Sequence, residues 1–119
     1  MFVKSINWLD QQAEEAEVSV SDGSWECKAY SMPCSCSVGD YLKDPLFCLG
    51  ATSVVKAVPS EPKLSKLQDK SRYEIVGQIV DHSNSVVCVG TLRFNVDQPF
   101  PGDLKLGDWV QFTVDRISC

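Results

Sequence analysis

Residues 15–30 read EAEVSVSDGSWECKAY, and this stretch decides the fold class. The pair Asp22-Gly23 is a strong signal for a two-residue type I′ turn, because both central residues of that turn take positive φ. Such a loop pairs Ser21 with Ser24, Val20 with Trp25, Val18 with Cys27 and Ala16 with Ala29. The three apolar pairs lie two apart, so their side chains share one face of a hairpin. The opposite face pairs Ser19 with Glu26 and Glu17 with Lys28, the latter a match of opposite charges. Apolar and charged pairs agree on one register.

A second hairpin lies in residues 72–96, RYEIVGQIVDHSNSVVCVGTLRFNV. A turn at Ser83-Asn84 pairs Ile79 with Cys88, Gly77 with Gly90, Ile75 with Leu92 and Tyr73 with Phe94, with Glu74 against Arg93 on the other face. Facing glycines predict a bulge, a sharp bend or the close approach of another backbone. Further strands are expected over residues 2–9, 52–58 and 109–117; in the last, Val110, Phe112 and Val114 alternate with Gln111, Thr113 and Asp115. Residues 10–15 read as a short helical turn capped by Asp10. The polar stretch of about 59–71, with prolines and lysines, breaks the β pattern and reads as a loop, with one or two helical turns that place Leu64 and Leu67 on one side.

The sequence Val38-Gly39-Asp40-Tyr41-Leu42 is echoed by Leu106-Gly107-Asp108-Trp109-Val110. Glycine admits a positive-φ turn, aspartate bonds the turn backbone, and an aromatic residue opens a strand. We read the echo as two independent uses of one strand-entry device rather than as a duplication. Residues 104–114, LKLGDWVQFTV, resemble the strand pattern of small barrels such as the S1 and cold-shock members of the OB-fold group. The resemblance covers about a tenth of the chain. It implies a barrel, and no counterpart of those families' aromatic RNA-contact motif accompanies it. The expected fold is therefore a single all-β domain over residues 1–119, a partly open, mostly antiparallel OB-like barrel of six or so strands, with a two-sheet β-sandwich as the alternative.

At 119 residues the chain is long enough to bury a core, and 44% hydrophobic with 23% charged residues is the balance of a soluble protein. No apolar run approaches the ~18 residues of a membrane helix. The opening MFVKSINWLD is no signal peptide, so a cytoplasmic location is expected. Six cysteines in such a setting read as reduced thiols rather than as three disulfides.

Charge is unevenly placed. Residues 1–26 hold six acids (Asp10, Glu14, Glu15, Glu17, Asp22, Glu26) against Lys4, which accounts for the whole net charge of −5. The middle of the chain is mildly basic through Lys56, Lys63, Lys66, Lys70 and Arg72.

Cys34-Ser35-Cys36 is tighter than the Cys-x₂₋₄-Cys spacing that lets two thiolates reach one zinc ion, and no second close pair accompanies it. It also lacks the helix start that activates a thioredoxin-type thiol. The registers place Cys27 and Cys88 on core faces, where cysteine acts as a small hydrophobe. His82, the single histidine, sits in a polar turn away from any thiol. No nucleophile, phosphate-loop or metalloprotease motif is present, so neither an enzyme, a metal site nor a cofactor is expected.

The preferred reading is a non-enzymatic protein-binding module whose partner has a basic surface. Asp10, Glu14, Glu15, Glu17 and Glu26 steer the partner, and an aromatic anchor comes from Trp8 or Trp109, with Trp109 placed in the site. Small acidic proteins that block a basic nuclease, as immunity proteins do, are similar in charge and size. One competing reading is an OB-like nucleic-acid binder using Lys63, Lys66, Lys70 and Arg72, against which the net negative charge argues. The other is a metal or thiol protein at Cys34 and Cys36.

Overall fold

A computed structural model describes residues 1–58, 60–67 and 71–119. Its strands are β1 (Phe2–Asp10), β2 (Glu15–Ser21), β3 (Glu26–Ser31), β4 (Leu46–Leu49), β5 (Val55–Lys56), β6 (Lys63–Lys66), β7 (Tyr73–Asp81), β8 (Val86–Val89), β9 (Leu92–Val96), β10 (Trp109–Val114) and β11 (Arg116–Ser118). The chain is an all-β domain. The strands form one mixed, open sheet in the order β1-β2-β3-β11-β4-β9-β8-β7-β10-β5, with β6 alongside the first part of β7. Two of the pairings are parallel, β3 with β11 and β4 with β9. Among the described residues no helix is long and apolar enough to cross a membrane.

About the β11/β4 boundary the four strands β11, β3, β2 and β1 mirror β4, β9, β8 and β7, with β10 and β5 beyond β7 unmatched, and the register makes the match more than a resemblance. At the first Gly-Asp sequence, the Gly39 N–H donates to the Val3 carbonyl (2.8 Å) and the Val3 N–H donates to the Asp40 carbonyl (2.9 Å). At the second, the Gly107 N–H donates to Ile79 (2.9 Å) and the Ile79 N–H to Asp108 (2.9 Å). Each aspartate closes its own turn: Asp40 Oδ2 accepts from the Ser37 N–H (2.8 Å) and Asp108 Oδ2 from the Lys105 N–H (2.9 Å). Both glycines take the positive φ that the turn demands, 93° and 89°.

The correspondence continues outward. β1 slips one residue between Val3 (opposite Val20) and Ser5 (opposite Ser19), as β7 does between Ile79 (opposite Val87) and Asp81 (opposite Val86). Val20 then faces Cys27 of β3 as Val87 faces Phe94 of β9. Each half places one strand in the other, β4 and β11. β4 runs parallel to β9, β11 runs parallel to β3, and the two meet antiparallel with Cys48 opposite Ile117. That central pair is fully buried, so the core runs through the pseudo-two-fold axis. The echo is thus part of a repeated arrangement across both halves, wider than the two turns alone.

The hairpins keep their predicted inward faces more faithfully than their registers. In the first, Val20 faces Cys27 and Val18 faces Ala29, two residues from the expected pairing. The Asp22 carboxylate takes the Ser24 and Trp25 N–H groups (2.8 and 2.7 Å), which stabilises a loop of residues 22–25 in place of the tight turn. A slip of two preserves the face, so Ala16, Val18, Val20, Cys27 and Ala29 are all buried.

In the second hairpin the slip is one residue. Cys88 faces Gln78 and is half-buried on the outer side, not in the core as expected, while Val87 and Val89 point inward. The chain also turns again at Gly90-Thr91, so residues 92–96 pair with β8 and not with β7. β7 is free to take β10 and β6 instead. Glu74 accordingly pairs with Lys63 (3.1 Å), and Arg93 donates to the Lys43 carbonyl. Gly77 does mark a close approach, since a Cβ there would lie 2.6 Å from the Cys88 carbonyl oxygen.

Within the polar stretch, residues 63–66 form β6 and not a helical turn, because they pair in register with residues 73–76 of β7 and turn Leu64 onto the core. The remaining expectation for that loop falls partly on residues 59 and 68–70, outside the described residues.

Candidate functional site

The two halves differ in the length of their first hairpin. Seven positions separate Val3 from Asp10 but two separate Ile79 from Asp81; five separate Val20 from Glu15 but one separates Val87 from Val86. The β1–β2 hairpin is therefore longer by five residues in one arm and four in the other, roughly 15 Å of strand. Both hairpins end in the same kind of turn. Asp10 Oδ1 accepts from the Gln12 and Ala13 N–H groups (3.0 and 3.2 Å), and Asp81 Oδ1 accepts from the Asn84 N–H (3.1 Å). The last turn residue has positive φ in each, 54° at Glu14 and 56° at Ser85. The capping role read for Asp10 holds, although the turn is not a helix.

The acidic residues of the sequence separate into two sets. Glu26 bonds Lys4 (2.7 Å) and Glu17 lies 3.6 Å from Lys28, so their charges are balanced locally. Asp10, Glu14 and Glu15 collect at the turn, and none of them meets a described base at ion-pair distance. Asp10 and Glu15 stand directly opposite each other across the strands. Like charges in that position are destabilising by a few tenths to about 1 kcal/mol. The second hairpin places Val86 opposite Asp81 and carries no such repulsion.

Beside this turn β1 exposes Trp8 and Leu9, 40% and 53% accessible. Leu9 also rims a groove of about 270 Å³ beside the hairpin, walled by Glu17, Lys28, Tyr30, Tyr73 and Arg116. The Lys28 N–H donates to the Tyr73 hydroxyl (3.0 Å), and the Arg116 guanidinium sits 4.4 Å from the Tyr30 ring centroid. Desolvation and the neighbouring Glu15 carboxylate push the Tyr30 hydroxyl above its usual pKa.

Trp109 does not join the site. It opens β10 opposite Gln78, five residues along β7 from the Tyr73 that walls the groove, or roughly 17 Å of strand. Trp8 is the tryptophan beside the acidic turn.

The Cys-Ser-Cys loop holds that turn from behind. The Cys34 N–H donates to the Glu14 carbonyl (2.7 Å), and the Cys34 and Cys36 sulfurs lie 3.6 Å apart. Cys34 is buried, and burial together with the bond to Cys34 pushes the Cys36 thiol up to about 12. A thiol in that state is mostly protonated at neutral pH and is a poor nucleophile. Among the described residues no group of three or more His, Cys, Asp or Glu side chains is arranged to hold a metal ion.

The described residues of the basic stretch lie along the β6–β7 hairpin, Lys63 and Lys66 on β6 and Arg72 just before β7. Lys63 is paired with Glu74, Arg72 Nε lies 3.6 Å from Asp115, Lys66 is exposed on β6, and Lys70 lies outside the described residues. No protein-family model, curated protein or solved structure matches the chain.

Proposed function

We propose that the protein is a non-enzymatic binding module that engages a partner with a basic surface through the turn of its β1–β2 hairpin. The observation that carries this reading is the unbalanced Asp10, Glu14 and Glu15 cluster on an extension that the corresponding hairpin of the second half lacks. A repulsive pair at an exposed turn works against stability and favours a cation arriving from outside. Trp8 and Leu9 supply the apolar contact beside it, and the groove at Tyr30 and Arg116 gives a partner side chain a place to lodge. An inhibitor of a basic protein, of the immunity type, is the form of the function that this charge and size suit. We read the rolled sheet as a partly open barrel, since the Lys28 N–H reaches Tyr73 from a distant strand.

Affinity capture by the tagged protein from lysate of its own source, divided into nuclease-treated and untreated halves, tests the proposal. A basic protein retained at equal amount in both halves is the expected result. Retention that disappears with nuclease would assign binding to Lys63, Lys66 and their neighbours and overturn the proposal.

A further inference from the structure

We propose that the outer edge of β1, over residues 4–9, is the docking edge, and that it pairs backbone to backbone with a short extended segment of the partner, rich in lysine or arginine at its end nearest Asp10. This deepens the reading of the acidic turn as the binding element and rests on it.

Loop 38–42 covers the start of that edge. The Gly39 and Leu42 N–H groups donate to the Val3 and Met1 carbonyls, the Val3 N–H donates to Asp40, and Phe2 bridges Tyr41. Beyond Val3 the outer edge has no strand partner among the described residues, because β1 pairs otherwise only with β2. In the second half β10 likewise covers β7 only before Ile79, from Tyr73 to Gln78, and the strand continues just two residues further, to Asp81, so the long uncovered edge belongs to β1 alone of the two.

An open row of peptide groups is a template for a further strand. Irregularities at Lys4 and Leu9 bound a regular stretch, Ser5, Ile6, Asn7 and Trp8 opposite Ser19, Val18, Glu17 and Ala16. Bulges at both ends restrict what can add, so the edge suits about four residues rather than open-ended stacking.

Charge selects the occupant. Lys4, at one end, is already held by Glu26 at 2.7 Å, whereas Asp10, Glu14 and Glu15 at the other end are unbalanced. A second copy paired antiparallel would set Lys4 against the other copy's Asp10, but Lys4 would first have to leave Glu26.

Amide hydrogen exchange on the whole protein tests the proposal, with a capped peptide of alternating lysine and valine as probe and its glutamate–valine counterpart as control. The expected result is binding of the lysine peptide, at least about tenfold slower exchange at alternate amides of residues 4–9, and no binding of the glutamate peptide. The Glu14→Lys/Glu15→Lys variant should bind the lysine peptide at least about tenfold more weakly. Failure of the lysine peptide to bind, or binding without a change at residues 4–9, overturns the edge proposal; in the second case the acidic turn stands as the binding element. Equal binding of both peptides with protection at residues 4–9 overturns the acidic-turn reading and leaves edge pairing intact. Protection that grows with protein concentration in the absence of peptide identifies a second copy as the occupant and overturns the proposal.

Discussion

Asp22 shows how one side chain displaces a pairing that the backbone alone would prefer. Its Oδ1 takes the Ser24 and Trp25 N–H groups, and its Oδ2 takes the N–H and hydroxyl of Thr91 (2.8 and 3.2 Å) from the facing turn between β8 and β9. Partial burial raises its pKa, but the hydrogen bonds from Trp25, Thr91 and Ser24 together hold it below 3.8. The folded state therefore binds this proton less readily than the unfolded chain. The stability it contributes is fully present above the unfolded value and is lost as pH falls through the lower folded value. Asp22→Asn keeps one acceptor and turns an amide donor toward Thr91, so we expect a loss of about 1–3 kcal/mol at neutral pH in denaturant unfolding. That gap should narrow below pH 3.8, and a gap independent of pH would show that the carboxylate charge is not what holds the loop. The Asp-Gly signal was legible in the sequence. The contact with Thr91, 69 residues away, was not.

At the scale of elements, alternation predicted which residues face inward wherever a strand keeps its parity, as in β2, β3 and β10. It failed at Cys88, where one slipped residue between Ile79 and Asp81 turns the strand over. β4 was not legible because it is four residues long and is stabilised by β9 and β11, distant in sequence; β6, equally short, pairs with the next strand, β7, but lies in a polar stretch whose prolines and lysines carry no β alternation. The acidic turn was visible as composition. The division of its carboxylates into balanced and unbalanced sets was not, since it depends on Lys4 reaching Glu26 and on Lys28 reaching Glu17. A trade-off follows from the Asp10–Glu15 opposition. Glu15→Gln should raise stability by a few tenths to about 1 kcal/mol in thermal or denaturant unfolding while weakening partner capture. A variant that is less stable, or that captures the partner as well as before, would contradict the role given to the pair.

For the whole molecule, the exchange of β4 and β11 between the halves makes each half incomplete. β3 meets β11 on its outer side, and β9 meets β4. Fragments 1–60 and 61–119 should each fail to fold alone and should restore native near-ultraviolet circular dichroism when mixed at equal amounts; a half that folds as a monomer would show the exchange to be dispensable. The repeat was announced in the sequence only by Gly39-Asp40 and Gly107-Asp108, because the rest of it is a register that shares few residue identities, with Val3 standing where Ile79 does and Cys27 where Phe94 does. Against that near-symmetry the extended acidic hairpin is the departure to which we attach function. The most direct test compares the amount of partner captured from nuclease-treated lysate by the wild type, by Glu14→Lys/Glu15→Lys and by Lys63→Glu/Lys66→Glu, after each is shown to be folded. We predict at least about a tenfold loss for the first variant and less than about a twofold change for the second, in keeping with a partner steered by carboxylates. Undiminished capture by the acidic-turn variant, with loss in the lysine variant, would contradict it.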